Sequence, residues 1–109
     1  MRATNTIILA LAVVLAASHS LSAQHMKGDV AEGRHFAQIW CSGCHAVTPE
    51  AVGSAGTAPD FPSIANRRST TARRLIRFLY TQHKVMPNFE IELDDATNVA
   101  AYIVSLKRR

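Results

Sequence analysis

The chain has 109 residues, room for one domain, with 48% hydrophobic and 18% charged residues. Twelve Lys and Arg against eight Asp and Glu leave a formal net charge of +4. This composition excludes a disordered charged tail, a collagen-like repeat and a multidomain enzyme, and two Cys exclude a disulfide-dense scaffold.

Part of the apolar total sits at the N-terminus. Arg2 and the amino group give a short positive region, residues 7–17 are uninterruptedly apolar, and Ser18, Ser20, Ser22 and Ala23 follow as small residues. The apolar run is well short of the roughly 20 residues that a bilayer core requires. Residues 1–23 therefore read as an export signal, cut after Ala23 or alternatively after Ser20 or Ser22, with an uncleaved anchor as the other reading. The mature domain would be residues 24–109, working outside the cytoplasm. A domain this short buries a limited core and recruits a disulfide, a metal or a cofactor to complete it.

The first predicted element of that domain is a helix over residues 29–40. Asp29 suits its cap, Glu32 completes a capping box, and Gly33, Phe36, Ala37 and Trp40 fall on one stripe. The helix runs directly into Cys41-Ser42-Gly43-Cys44-His45. Residues 46–69 form a loop punctuated by Pro49, Gly53, Gly56, Pro59 and Pro62, with a short turn at 61–66. A second helix spans residues 71–82, with Ala72, Leu75, Phe78, Leu79 and Gln82 on one side and Arg73, Arg74 and Arg77 on the other. A third covers residues 94–106, with Ala96, Val99, Tyr102, Ile103 and Leu106 as its stripe. Asp94 and Asp95 suit the dipole at its start, and Lys107, Arg108 and Arg109 suit its end. No strand pattern, repeat or linker is visible. The predicted fold is all-α, with three main helices and connecting loops.

Cys41, Cys44 and His45 point to one covalently bound haem, around which the helices and loops would wrap. Two thiols three residues apart lie on one side of a helical turn and the next residue adds an imidazole, which is the attachment spacing of a c-type haem. Each thiol would form a thioether with a haem vinyl group, and His45 would take the proximal position on iron. Three other readings compete. A thioredoxin-like pair opens a helix, whereas this one follows a helix. A zinc site needs a second pair of ligands, and a disulfide across this spacing would close almost no loop. For the opposite face of the iron, Met86 before Pro87 offers a thioether from extended backbone. His83 is the rival ligand, an open position is a further possibility, and a Met that fills a core gap is the plain reading.

Taken in order, these motifs resemble a class I cytochrome c of the small monohaem bacterial type, over the whole chain after the signal. The resemblance rests on Gly33 and Phe36 ahead of Cys41-x-x-Cys44-His45, the Ala58-Pro59 loop, Met86-Pro87-Asn88-Phe89, and Ala101-Tyr102-Ile103 in the final helix. It implies that Cys41 and Cys44 carry one haem c, that His45 and Met86 ligate its iron, and that the Pro59 carbonyl accepts a hydrogen bond from His45. That bond would orient the imidazole and raise its basicity. The resemblance also implies a close crossing of the first and last helices, with Gly33 and Phe36 against Tyr102 and Ile103. Ala37 stands where some branches have an aromatic residue. The positive charge gathers in Arg67, Arg68, Arg73, Arg74 and Arg77 instead of a ring of lysines.

With both axial positions filled by side chains, the expected role is one-electron transfer and not catalysis. Donor and acceptor would be redox proteins docking on the face of Arg73, Arg74 and Arg77, with the polar helix face merely solvated as the plain alternative. Nucleic acid is not an expected partner, membrane complexes would be met transiently, and the chain would be a monomer. The alternatives are a cytochrome subunit of a larger oxidoreductase, and a ligand-binding haem enzyme or sensor in which Met86 is displaced. His35 is expected at the surface, and Trp40 at the haem edge.

Overall fold

A computed structural model of the chain describes residues 27–53, 56, 58–81, 86 and 90–109. The export-signal segment, the rival ligand His83 and the Pro87 that follows Met86 lie outside these described residues. Within them the chain is all-helical: α1 (Val30–Trp40), α2 (Phe61–Ala65), α3 (Ala72–Leu79) and α4 (Leu93–Ser105), with one 3-10 turn at Pro49–Ala51. The turn expected at 61–66 is a short helix.

α1 starts where Asp29 sits in extended backbone and its carboxylate accepts the Glu32 amide at 2.9 Å. The expected reciprocal bond from Glu32 to the Asp29 amide is replaced. That amide donates instead to Asn98 Oδ1 of α4, at 2.7 Å. The replacement follows from the crossing of α1 and α4. A methyl group built on Gly33 would overlap the Asn98 carbonyl and lie 2.9 Å from the Val99 nitrogen, so the two backbones touch and Asn98 is within reach of the α1 cap. Gly33 thus meets Asn98 and Val99, one turn earlier in α4 than the Tyr102 and Ile103 expected. Gly28, at φ +64°, makes the neighbouring approach, its missing Cβ facing the Thr97 carbonyl at 2.5 Å.

α4 buries Ala96, Val99, Ala100, Tyr102 and Ile103, which matches the period read from its sequence. Lys107, Arg108 and Arg109 lie just past its end, and the first two bond to a neighbouring segment. Lys107 Nζ donates to the Thr70 carbonyl at 2.7 Å, and the Arg108 amide donates to Asn66 Oδ1 at 2.9 Å. Thr70 itself is buried and its hydroxyl donates to the Ile64 carbonyl at 2.6 Å. The C-terminus is therefore tied to the turn between α2 and α3.

α3 begins at the Thr71 cap and ends three residues before the position expected, at Leu79. The Thr81 hydroxyl donates to the carbonyls of Arg77 and Phe78, and the Thr81 amide also donates to Phe78. These bonds consume acceptors that a continuing helix would use. Leu75 is buried, and Ile76 and Leu79 pack on the core, but Ala72 and much of Phe78 are exposed. The buried face of α3 thus includes Leu75 and Leu79 of the predicted stripe and adds Ile76.

The interior built by the chain is thin. Ala37, Ala65, Ala96 and Ala100 are fully buried, and Val99 is the largest side chain among the described residues to be so. Trp40 is 65% exposed, and Ile39, Val52, Tyr80 and Leu93 are more than half exposed. Among the described residues no helix is long and apolar enough to cross a membrane.

Candidate haem site

Cys41 caps the C-terminus of α1, its amide donating to the Ala37 carbonyl at 2.9 Å. The chain then turns tightly. The amides of Cys44 and His45 both donate to the Cys41 carbonyl, at 3.2 and 2.9 Å. Ser42 Oγ donates back to the Gln38 carbonyl at 2.6 Å. One turn of backbone therefore gathers both thiols and the imidazole. Cys41 is buried, Cys44 is exposed and His45 is half-buried.

The ionisation of Cys41 separates two of the competing readings. Burial raises its thiol to about 11, because the thiolate is poorly solvated there. A redox-active Cys pair needs the opposite, a thiolate stabilised at a helix N-terminus, and Cys41 stands at a helix C-terminus. Among the described residues no group of three His, Cys, Asp or Glu side chains converges as metal donors.

The segment after the motif is held on three sides. His45 Nδ1 lies 2.6 Å from the Pro59 carbonyl oxygen, which fixes Nδ1 as the protonated nitrogen and leaves Nε2 with a free lone pair. The Phe61 amide donates to the Ala46 carbonyl at 2.9 Å. The Tyr102 hydroxyl donates to the Val47 carbonyl at 2.7 Å, with burial raising its ionisation above the ordinary value. The rings meet in sequence, each pair tilted by 54°, His45 to Phe61 at 5.4 Å between centroids and Phe61 to Tyr102 at 6.3 Å. Helix α4 thus reaches the imidazole through Tyr102 and Phe61.

These features fit a covalently attached haem. Two thiols and a nitrogen with a free lone pair share one turn, and the thin interior leaves large apolar side chains uncovered. Ile39 and Trp40 directly precede Cys41, and Tyr80 follows the helix that leads toward Met86. Met86 is half-buried. His35 is exposed.

A family model described as cytochrome c oxidase, cbb3-type, subunit III, matches residues 28–103. The chain belongs to this cytochrome c family. Cytochrome c-552 of Bradyrhizobium diazoefficiens is 35% identical over 101 residues, covering 93% of this chain and 92% of that relative. No solved structure matches. The protein is a monohaem class I cytochrome c that carries covalent haem c and transfers electrons between redox proteins. Cys41 and Cys44 have the attachment spacing of this family, with the family's His following them.

Three contributors to this site were not singled out in the sequence. Asn98 reads as an ordinary polar helix residue, and its contact with Asp29 depends on the crossing. The bond from Tyr102 to Val47 spans 55 residues and has no local signature. Asp60 did carry a signal: Asp-Phe-Pro-Ser is a cap residue followed by proline in a first helical turn, which marks the start of α2.

Proposed function

We propose that this cytochrome is an exported periplasmic electron carrier, with residues 1–23 as its signal and residues 24–109 as the mature domain. Cys41 and Cys44 would hold the haem through two thioethers, and His45 Nε2 and Met86 Sδ would ligate its iron. The observation that carries this reading is the 2.6 Å contact between His45 Nδ1 and the Pro59 carbonyl. It keeps the proton on Nδ1 and leaves Nε2 as the ring nitrogen able to bind iron, on a residue that shares one turn with both thiols. When bound, haem c supplies a ferric–ferrous couple.

The chain's residues set the terms of that couple. The Pro59 carbonyl draws the Nδ1 proton and makes His45 a stronger donor. A thioether from Met86 opposes this by favouring the ferrous state. Tyr102 and Phe61 hold the imidazole plane, which keeps reorganisation small between the two states. With two side-chain ligands, no position is left for a substrate, so the protein carries electrons and is not an enzyme. A near-infrared Met-to-iron charge-transfer band in the ferric protein, and ferrous spectra unchanged by carbon monoxide at neutral pH, are expected. Absence of the band, or rapid carbon monoxide binding, contradicts Met86 ligation and favours a ligand-reactive haem.

Docking falls to the arginine face. Residues 61–81 and 96–109 contain eight of the twelve basic residues and no acid. Arg73 and Arg77 have no ion pair or side-chain hydrogen bond among the described residues, and Arg74 donates to the Ser69 carbonyl. Such a face attracts and orients an acidic redox partner. The donor class is a dehydrogenase or quinol-oxidising complex, and the acceptor a terminal oxidase or reductase. The oxidase subunit in the family's description supports the former acceptor. It also favours a second reading, a permanent cytochrome subunit of a larger oxidoreductase. Size exclusion of material from the native source separates them: a monomer-sized peak supports the carrier, co-elution with a large haem complex the subunit.

A further inference from the structure

The backbone around Asp60 joins two structures that have been described separately, the cap of α2 and the hydrogen bond on His45. Asp60 is the N-cap of α2 in extended backbone, at φ −69° and ψ 151°. Its Oδ1 accepts the Ser63 amide at 2.7 Å and its Oδ2 accepts the Ser63 hydroxyl at 2.8 Å. Its own carbonyl accepts the Ile64 amide at 3.0 Å. On either side of it the chain binds the haem-attachment segment: the Pro59 carbonyl takes the His45 Nδ1 proton, and the Phe61 amide donates to Ala46.

The amide accounting of α2 shows why these contacts stand or fall together. A helix leaves its first amides without internal partners. In α2 the Phe61 amide goes to Ala46, Pro62 has none, the Ser63 amide goes to the Asp60 carboxylate, and Ile64 closes the first internal bond. Every early amide is used once, and the one supplied to the haem-attachment segment is adjacent to the capping residue. Rotating the peptide between Asp60 and its neighbours to lose the cap would also turn the Pro59 carbonyl and the Phe61 amide. The carboxylate, with its two bonds from Ser63, therefore fixes the direction of the carbonyl that polarises His45.

We propose that Asp60 is a positioning residue for the axial imidazole: by capping α2 through Ser63 it holds the Pro59 carbonyl on His45 Nδ1, and so helps set the reduction potential. The inference rests on the reading of His45 as an axial ligand. Asp60 touches neither the haem nor its ligands; it acts through Pro59. Loosening the Nδ1–H bond makes the imidazole a weaker donor, which destabilises the ferric form and raises the potential.

Charge and geometry are separable here. Asp60→Asn removes the charge but keeps an oxygen at capping distance, whereas Asp60→Glu keeps the charge and displaces the carboxylate from the cap. Both variants would be made as holoprotein, and two quantities read for each: hydrogen exchange of the His45 ring N–H by NMR, and the reduction potential by spectroelectrochemistry. We expect Asp60→Glu to exchange this proton about fivefold faster or more than the unmodified protein, with a raised potential. Asp60→Asn should exchange within about twofold of the unmodified protein. Equal exchange and equal potential in Asp60→Glu and the unmodified protein overturn the inference, as does acceleration in Asp60→Asn alone. If the His45 ring protons of the unmodified ferrous protein show no shift from the haem ring current, the axial reading fails first and takes this inference with it.

Discussion

Gly33→Ala tests the crossing that locates the haem-attachment turn. The methyl group it adds would overlap the carbonyl of Asn98 and lie 2.9 Å from the Val99 nitrogen. These are backbone atoms of α4, so no rotamer change relieves the overlap. The helices must separate by roughly 1 Å or more, and overpacking of this kind costs about 1–3 kcal/mol. Because both partners are backbone, the upper end applies. Replacing glycine in a helix interior returns about 1 kcal/mol of helix propensity, leaving a net loss near 2 kcal/mol. For a domain of this size that lowers the midpoint of thermal unfolding by about 8–16 °C. Circular dichroism melts of the holoprotein read it directly. A Gly33→Ala protein that melts with the unmodified one would refute the close backbone crossing.

Three further predictions concern the surroundings of the site. Tyr102→Phe removes the donor to the buried Val47 carbonyl and should cost about 1–3 kcal/mol by denaturant titration, whereas a loss under about 0.5 kcal/mol would mean that water replaces the hydroxyl without penalty. Asp60 titrates below its ordinary 3.8, first because of the Ser63 side chain and then the Ser63 amide. Its lowered value means that its contribution is complete above 3.8 and is lost as pH falls through the lower folded value. Acid unfolding curves of Asp60→Asn should therefore be shallower than those of the unmodified protein in that range, and superimposable curves would remove the linkage. Charge reversal at Arg73 and Arg77 should slow electron transfer to an acidic partner, and the unmodified rate should fall as salt rises; rates independent of salt would assign this face to solvation alone.

The parts legible in the sequence were those set by local chemistry. The cap at Asp29, the apolar period of α4 and the grouping of Cys41, Cys44 and His45 all depend on residues within a turn or two of each other. The all-helical architecture followed from the same signals. What escaped was set by contacts between distant segments. The register of the α1–α4 crossing depends on which α4 backbone atoms face Gly33, and period alone fixes the face of a helix but not the level at which it is crossed. Asn98 in place of Glu32 as partner of the Asp29 amide is a consequence of that level. The early end of α3 was readable in principle, since Thr81 offers a side-chain donor to the last carbonyls, but the apolar spacing through Gln82 argued for continuation. Phe78 fits the apolar stripe by spacing and stands about half exposed.

An optical spectrum of the purified protein, reduced and treated with alkaline pyridine, tests the central claim most directly. Two thioether bonds from Cys41 and Cys44 predict a haemochrome band at the position of a fully saturated c-type haem, with the pigment retained through acid–acetone extraction. A band at the position of a haem with intact vinyl groups, pigment lost on extraction, or a colourless folded protein from a host competent in haem attachment would contradict it.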